Sequence, residues 1–335
     1  MTKAVGGAFP APPAPETKAH AMTKPVLTEA PVIRRPTAVR PRTKRPAEPH
    51  KPGERSRVGL FFVAPLVLIL LALVGFPTVA SLWYSFTNVT VGSPGTFVGL
   101  ANYIALFGDQ AFIDAVSNLV LIIGVSLLIK FLLGLTVASL LNRPMRARGI
   151  WRAIVILPWA MPGFVAFMGW KLMFESRAGA LNQVLGWFHL HVDFLASPEL
   201  ARMSVVMATV WRGFPFWVIG ILAAMQTIPK ELYEAAEMDG AGPWRRFTNI
   251  TWPGIRATVS VVAVLSAIWT TNGFENVWLI TQGGPSSATM TFPVLSYLDL
   301  TNFQLGSASA AAMITLPLFV LLILWLGRTG GKEYK

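Results

Sequence analysis

Hydrophobic runs of about twenty residues or more decide what this chain can fold into, because about twenty helical residues span the roughly 30 Å hydrocarbon core of a bilayer. Six such runs occur, over residues 58–86, 115–141, 150–174, 203–225, 257–281 and 307–326. Inside hydrocarbon, backbone N–H and C=O groups have to be satisfied within the segment, so runs of this length are expected as helices. Only 13% of the 335 residues are charged, against about a quarter in an ordinary soluble domain. The expected fold class is an all-α polytopic membrane protein with six transmembrane helices.

Charge sets the expected orientation, since Lys and Arg concentrate on the cytoplasmic side. The segments after the first, third and fifth runs hold only Arg177 and Arg202 against six acids, while Arg143, Arg146 and Arg148 follow the second run, Lys230, Arg245, Arg246 and Arg256 the fourth, and Arg328, Lys332 and Lys335 the sixth. Both termini are therefore expected in the cytoplasm. Orientation accounts for the net charge of +12 without nucleic acid. Residues 1–57 carry 11 prolines and 12 Lys or Arg with little to bury, the composition of a disordered tail. The first apolar run begins at Val58, too late for a signal peptide, and is expected to remain in the mature protein. The expected organisation is a basic tail at 1–57, a six-helix transmembrane domain at 58–327 and a cytoplasmic tail at 328–335. A short amphipathic helix is expected around 181–190. With no cysteine and four scattered histidines, no metal site is expected.

The fourth inter-run segment, 226–256, reads as helix, break, helix. Pro229 suits a first helical position, Glu231 and Glu234 favour the positive N-terminal end, and Gly240 can end the helix at positive φ. A second helix is expected to start near Pro243 and stop before Pro253. A helix this short is marginal alone in water. Two readings follow: a docking element for a protein partner, with Ala235 and Ala236 allowing close approach, or an ordinary loop against lipid headgroups.

Glu234-Ala235-Ala236, three residues, Gly240, nine residues, Ile250, one residue and Trp252-Pro253 resembles the EAA loop of the permeases of ABC-type importers, with Asp239-Gly240-Ala241 as its common extension and Trp252 in place of the usual leucine. Thr281-Gln282-Gly283-Gly284-Pro285 and the six runs are similar to the carbohydrate-uptake, maltose-type branch of that family, and to the first of its two paired permeases. The resemblance implies a bacterial plasma-membrane location, a second permease subunit, an ATPase dimer that binds ATP and Mg, an extracytoplasmic solute-binding protein and a sugar-like solute. It also implies that Glu234, Ala235, Ala236, Asp239, Gly240 and Ala241 couple the chain to the ATPase. No GxxxxGK[ST] phosphate loop is present, so the chain is not expected to hydrolyse ATP or to carry a cofactor.

A charge at the centre of a membrane helix costs roughly 2.5–3.5 kcal/mol on the insertion scale, so ionisable residues there call for a role. Lys130, Lys171, Arg212 and Glu275 lie within the runs; Lys171 can snorkel to the surface. Arg212 and Glu275 are expected at similar depth and could pair. With Trp269, Asn272 and Asn276 they offer the aromatic faces and amides that suit a sugar. The competing reading is a structural ion pair beside an interfacial aromatic belt, to which Trp278 is assigned. A channel or secondary transporter would leave the 226–256 motif without a task, and no catalytic set appears in any run.

Overall fold

Prolines and the turns around them set the path of the helices. The computed structural model describes residues 54–330. In chain order these form α1 (Glu54–Leu70), α2 (Phe76–Tyr84), α3 (Ala101–Phe107), α4 (Gln110–Asn118), α5 (Gly124–Asn142), α6 (Arg148–Ala160), α7 (Gly163–Met173) and α8 (Ala180–Gly186). There follow α9 (Pro198–Thr227), α10 (Lys230–Met238), α11 (Pro243–Arg246), α12 (Trp252–Thr271), α13 (Glu275–Ile280), α14 (Phe292–Thr301), α15 (Leu305–Met313) and α16 (Leu316–Gly330). The chain divides into two units, Met1–Phe61 and Phe62–Lys335; the packing and the sites below lie in the second. Most of the expected basic tail and the last five residues fall outside the described residues. Among those described, the only extended pairing is two isolated bridges, Thr87 with Phe97 and Thr90 with Ser93.

Four helical stretches are long and apolar enough to cross a membrane: Phe61–Tyr84, Gln110–Asn142, Pro198–Thr227 and Pro243–Thr271. The pair α6 and α7 passes the same test only jointly, bent by 90°, and Leu305–Leu321 is apolar but shorter. Each overlaps one of the six apolar runs. The chain is thus a helical, polytopic membrane protein.

The runs are less regular than their hydropathy. The third is two helices because Met161 (ψ 140°) and Pro162 (ψ 135°) are extended, as the residue before a proline prefers. The helix expected to stop before Pro253 continues instead. A π turn at Phe247–Thr251, with Trp252 N–H bonding to Phe247 O, joins α11 to α12. Pro253 has no N–H to give, and the widened turn ahead of it accommodates that. The same arrangement precedes Pro77, where a π turn spans Leu71–Gly75. The fifth run is also broken: α12 ends at Thr271, and Asn272 Nδ2 donates to Ile268 O at 3.0 Å. A side-chain amide bonding back to the helix, followed by Gly273, offers the backbone an alternative to continuing. Glu275 consequently opens the separate helix α13. The sixth run breaks between α15 and α16, and the segment 282–306 between the fifth and sixth runs contains α14. The short helix expected near 181–190 is α8.

The helices α5 and α9 form the most extensive pair. In a bilayer, such association rests on close packing and interhelical hydrogen bonds rather than on water exclusion. Two buried clusters lie along α9. Val205 and Ala208 join Phe112, Phe174, Val277 and Val294, while Trp217, Ile221 and Met225 join Ala138, Ile255 and Val262.

Candidate functional site

Between those two clusters, α9 presents Thr209, Arg212, Gly213 and Phe216 to a cavity of about 440 Å³. Lys130 on α5, Trp159 on α6, Phe167 on α7, Trp269 on α12 and the 272–276 break complete its walls. The five residues expected on a solute pathway, Arg212, Trp269, Asn272, Glu275 and Asn276, all line this one cavity. Trp278 does not; it stacks on Phe274 and meets Tyr297 edge-on.

Several polar atoms in the cavity have unused capacity. Arg212 Nη2 donates to Met161 O at 3.5 Å and the guanidinium sits 5.6 Å from the Phe167 ring centre, yet its Nε is buried without an acceptor. Asn276 Nδ2 donates to Thr209 Oγ1 at 3.0 Å while its Oδ1 is buried without a donor. Lys130, only 3% exposed, gives one Nζ hydrogen bond, to Thr270 Oγ1 at 2.9 Å. Buried polar groups left unpaired each cost about 1–3 kcal/mol. Phe216 and Trp269 pack ring to ring at 4.8 Å. Aromatic faces beside an orphan donor and an orphan acceptor suit a solute with alternating CH and hydroxyl surface.

Arg212 and Glu275, which could have paired at similar depth, do not, since among the described residues no ion pair within 4.0 Å joins them. Both approach Gly163 on α7 instead: a Cβ there would collide with Glu275 Oε2 and stand 3.5 Å from Arg212 Nη2. The break at 272–274 puts Glu275 on α13, so its position is not set by the helix repeat of α12.

The 226–256 segment has a defined geometry. α10 ends in a Schellman motif: Gly240 N–H bonds to Glu237 O at 3.0 Å, Ala241 N–H to Ala236 O at 2.8 Å, and Gly240 has φ +72°. That φ is the reason for glycine. Close approach within the chain is not, because a Cβ on Gly240 would meet nothing within 4 Å. No residue of α10 is buried; Glu234, Ala235 and Asp239 are exposed and Ala236 and Ala241 are half-buried. Leu232, Met238 and Trp244 are exposed as well. Glu237 and Arg246 form an ion pair at 3.3 Å, and Tyr233 Oη lies 3.0 Å from Thr251 Oγ1.

One cluster had no expectation attached to it. Arg202 Nε donates both to Asn118 Oδ1 (3.1 Å) and to Ala288 O (2.8 Å), and Asn118 Nδ2 donates to Met290 O at 3.0 Å. Thr289, fully buried, bonds to Gly284 O at 2.9 Å and to Thr281 Oγ1 at 2.7 Å. The Gly283-Gly284-Pro285 segment is thus part of a pinned, packed turn. Arg202 and Asn118, each near one end of an apolar run, were its only sequence signal.

Residues 130–328 match the family described as binding-protein-dependent transport system inner membrane component. The chain belongs to that family. It is 33% identical to the trehalose/maltose transport system permease protein MalF of Thermococcus litoralis, over 82% of this chain and 94% of that one. It is 30% identical to the sn-glycerol-3-phosphate transport system permease protein UgpA of Agrobacterium fabrum, over 78% of this chain and 90% of that one. Its fold is like that of a chain in the crystal structure of a bacterial ABC transporter involved in the import of the acidic polysaccharide alginate, with a TM-score of 0.71 over 84% of this chain and 97% of that one, at 24% identity. As an inner-membrane component of a binding-protein-dependent transport system, the chain is a multi-pass permease subunit of an ABC importer and not the ATP-hydrolysing component.

Proposed function

We propose that the chain carries a sugar or a related small polar solute through the cavity around Arg212, and that it works as one half of a permease pair. The observation that carries this reading is the convergence of Arg212, Trp269, Asn272, Glu275 and Asn276, from α9, α12, the break after it and α13, on a single cavity with an unused donor and an unused acceptor. Six crossings with both termini in the cytoplasm fit the charge distribution, with α6 and α7 as one bent crossing and α15 with α16 as the last. A second permease covers the open side of the cavity, an ATPase dimer binding ATP and Mg docks on the 226–256 loop, and an extracytoplasmic solute-binding protein delivers cargo.

In this reading Glu234, Ala235, Ala236, Asp239, Gly240 and Ala241 form the coupling element. The exposed apolar residues Leu232 and Met238 and the small Ala235 give the ATPase a surface to hold, and the continuous helix from Pro243 to Thr271 transmits its movement to the cavity wall at Trp269 and Thr270. Alternating access then follows ATP-driven closure of the ATPase pair. Purification of the tagged chain from its own membrane tests the assembly. An ATPase with a phosphate loop and a second permease are expected to co-purify. Isolation as a sole species that transports solute without ATP would point to a channel or secondary transporter.

A further inference from the structure

We propose that Arg148, Arg152 and Gln226 form a binding site for the phosphate group of an anionic phospholipid, with one acyl chain in the adjoining crevice between α6 and α9. Arg148 and Arg152 stand one turn apart on α6. With the Gln226 amide turned so that its oxygen faces them, that oxygen accepts from Arg152 Nη2 at 2.6 Å and from Arg148 Nη2 at 3.0 Å. Two cations thus share one neutral acceptor. Their Nε atoms are both buried without an acceptor, and among the described residues no carboxylate lies within 4.0 Å of either guanidinium. Like charges converge on this scale when an anion completes the site, and a guanidinium pair matches the several oxygens of a phosphate.

The surroundings select a lipid over a free anion or a protein carboxylate. Arg152 and Gln226 form the polar end of a crevice of about 220 Å³ whose other walls are apolar: Leu141, Val155, Ile156, Val218, Ile219 and Leu222. A charged end continuous with an apolar slot, where a membrane-spanning helix meets its flanking loop, has the layout of a headgroup and the start of its chain. The site sits at the end of α9, directly before α10, so a bound lipid would brace the foot of the coupling loop.

Native mass spectrometry of the purified chain tests this with three probes: phosphatidylglycerol, phosphatidylcholine with the same acyl chains, and inorganic phosphate. One phosphatidylglycerol is expected to be retained about tenfold or more over phosphatidylcholine, and millimolar phosphate is expected not to displace it. Arg148→Gln/Arg152→Gln should abolish the preference, while Arg143→Gln/Arg146→Gln, on exposed residues of the connector just ahead of α6, should keep it. Ala223→Phe, at an exposed position lining the crevice, should cut retention with both charges in place, and it serves if the double arginine variant fails to fold. Equal retention of the two lipids by the wild type, or a preference that survives in Arg148→Gln/Arg152→Gln, overturns the proposal. Displacement by phosphate alone would leave an anion site without a lipid, and unchanged lipid retention with loss of ATPase co-purification would assign the pair to a protein carboxylate; either result also overturns it.

Discussion

Tyr233 on α10 and Thr251 at the foot of α12 are joined by a side-chain hydrogen bond of 3.0 Å. It ties the exposed short helix to the long helix whose other end lines the cavity. A hydrogen bond of this kind contributes about 0.5–1.5 kcal/mol net, so Tyr233→Phe should lower the ratio of solute transported to ATP hydrolysed by roughly two- to tenfold. Assembly should be unchanged, because no residue of α10 is buried. Uptake and ATP hydrolysis measured together in proteoliposomes check this; an unaltered ratio would remove the bond from coupling.

Arg212→Gln and Glu275→Gln should each reduce solute uptake by about tenfold or more, the scale of a lost hydrogen bond to a charged group. Because the two side chains are not joined as an ion pair, the double variant should transport no better than the worse single one. Uptake by membranes with matched protein amounts is the measurement. Recovery in the double variant would mean the two residues serve each other and not the cargo.

Asn118→Ala should destabilise the cluster around Arg202 by about 1–3 kcal/mol, since it leaves the Met290 carbonyl without its donor and Arg202 Nε with Ala288 O alone. Interhelical hydrogen bonds in membranes run lower, about 0.6–2 kcal/mol, so the smaller end of the range is expected. The readout is the Tm in detergent, which should fall by a few degrees. An unchanged Tm would mean that the turn at 282–290 is held by packing alone.

Among the described residues Asp299 has no ion-pair partner; its carboxylate accepts from Ser307 Oγ at 2.6 Å. Burial pushes its pKa above the ordinary 3.8, with the charge of Asp109 adding to the effect and the Ser307 bond opposing it. The folded state therefore favours the protonated acid, and the stability this group contributes is full below its unfolded pKa and is lost as pH rises through the raised folded pKa. Asp299→Asn keeps the hydrogen bond without the titration. Melting from pH 4 to 7 should show wild type losing stability relative to Asp299→Asn as pH rises; parallel curves would contradict this.

Hydropathy made the membrane class and the place of the long apolar stretches legible, because apolar length is dictated by bilayer thickness; α3 and α14, outside those runs, were not. Local chemistry made the Gly240 turn legible too, since a left-handed residue after a short helix needs glycine. Where helices bend was harder. Pro162 breaks its run while Pro158, Pro215 and Pro253 do not, and the difference lies in how neighbouring turns re-satisfy the carbonyls, which no single residue encodes. The break at Asn272-Gly273 sets where Glu275 stands, so the ion pair that similar depth allowed with Arg212 does not form although both residues line the cavity. Arg202 and Asn118 are 84 residues apart, and nothing in their spacing ties either to the turn at 282–290.

The most direct test of the central claim is ATPase retention and solute uptake in Gly240→Val, with Gly240→Asn beside it. Valine at φ +72° is strained by about 1–2 kcal/mol although a side chain has room there, whereas asparagine tolerates that conformation. Ala235→Trp, at an exposed position of α10, adds bulk to the same surface without touching the membrane helices. Gly240→Val and Ala235→Trp should reach the membrane in wild-type amounts, lose co-purifying ATPase and lose uptake, and Gly240→Asn should keep both. Wild-type ATPase retention and uptake in Gly240→Val and Ala235→Trp would mean that 226–256 is an ordinary connector and that the chain is not coupled to an ATPase through it.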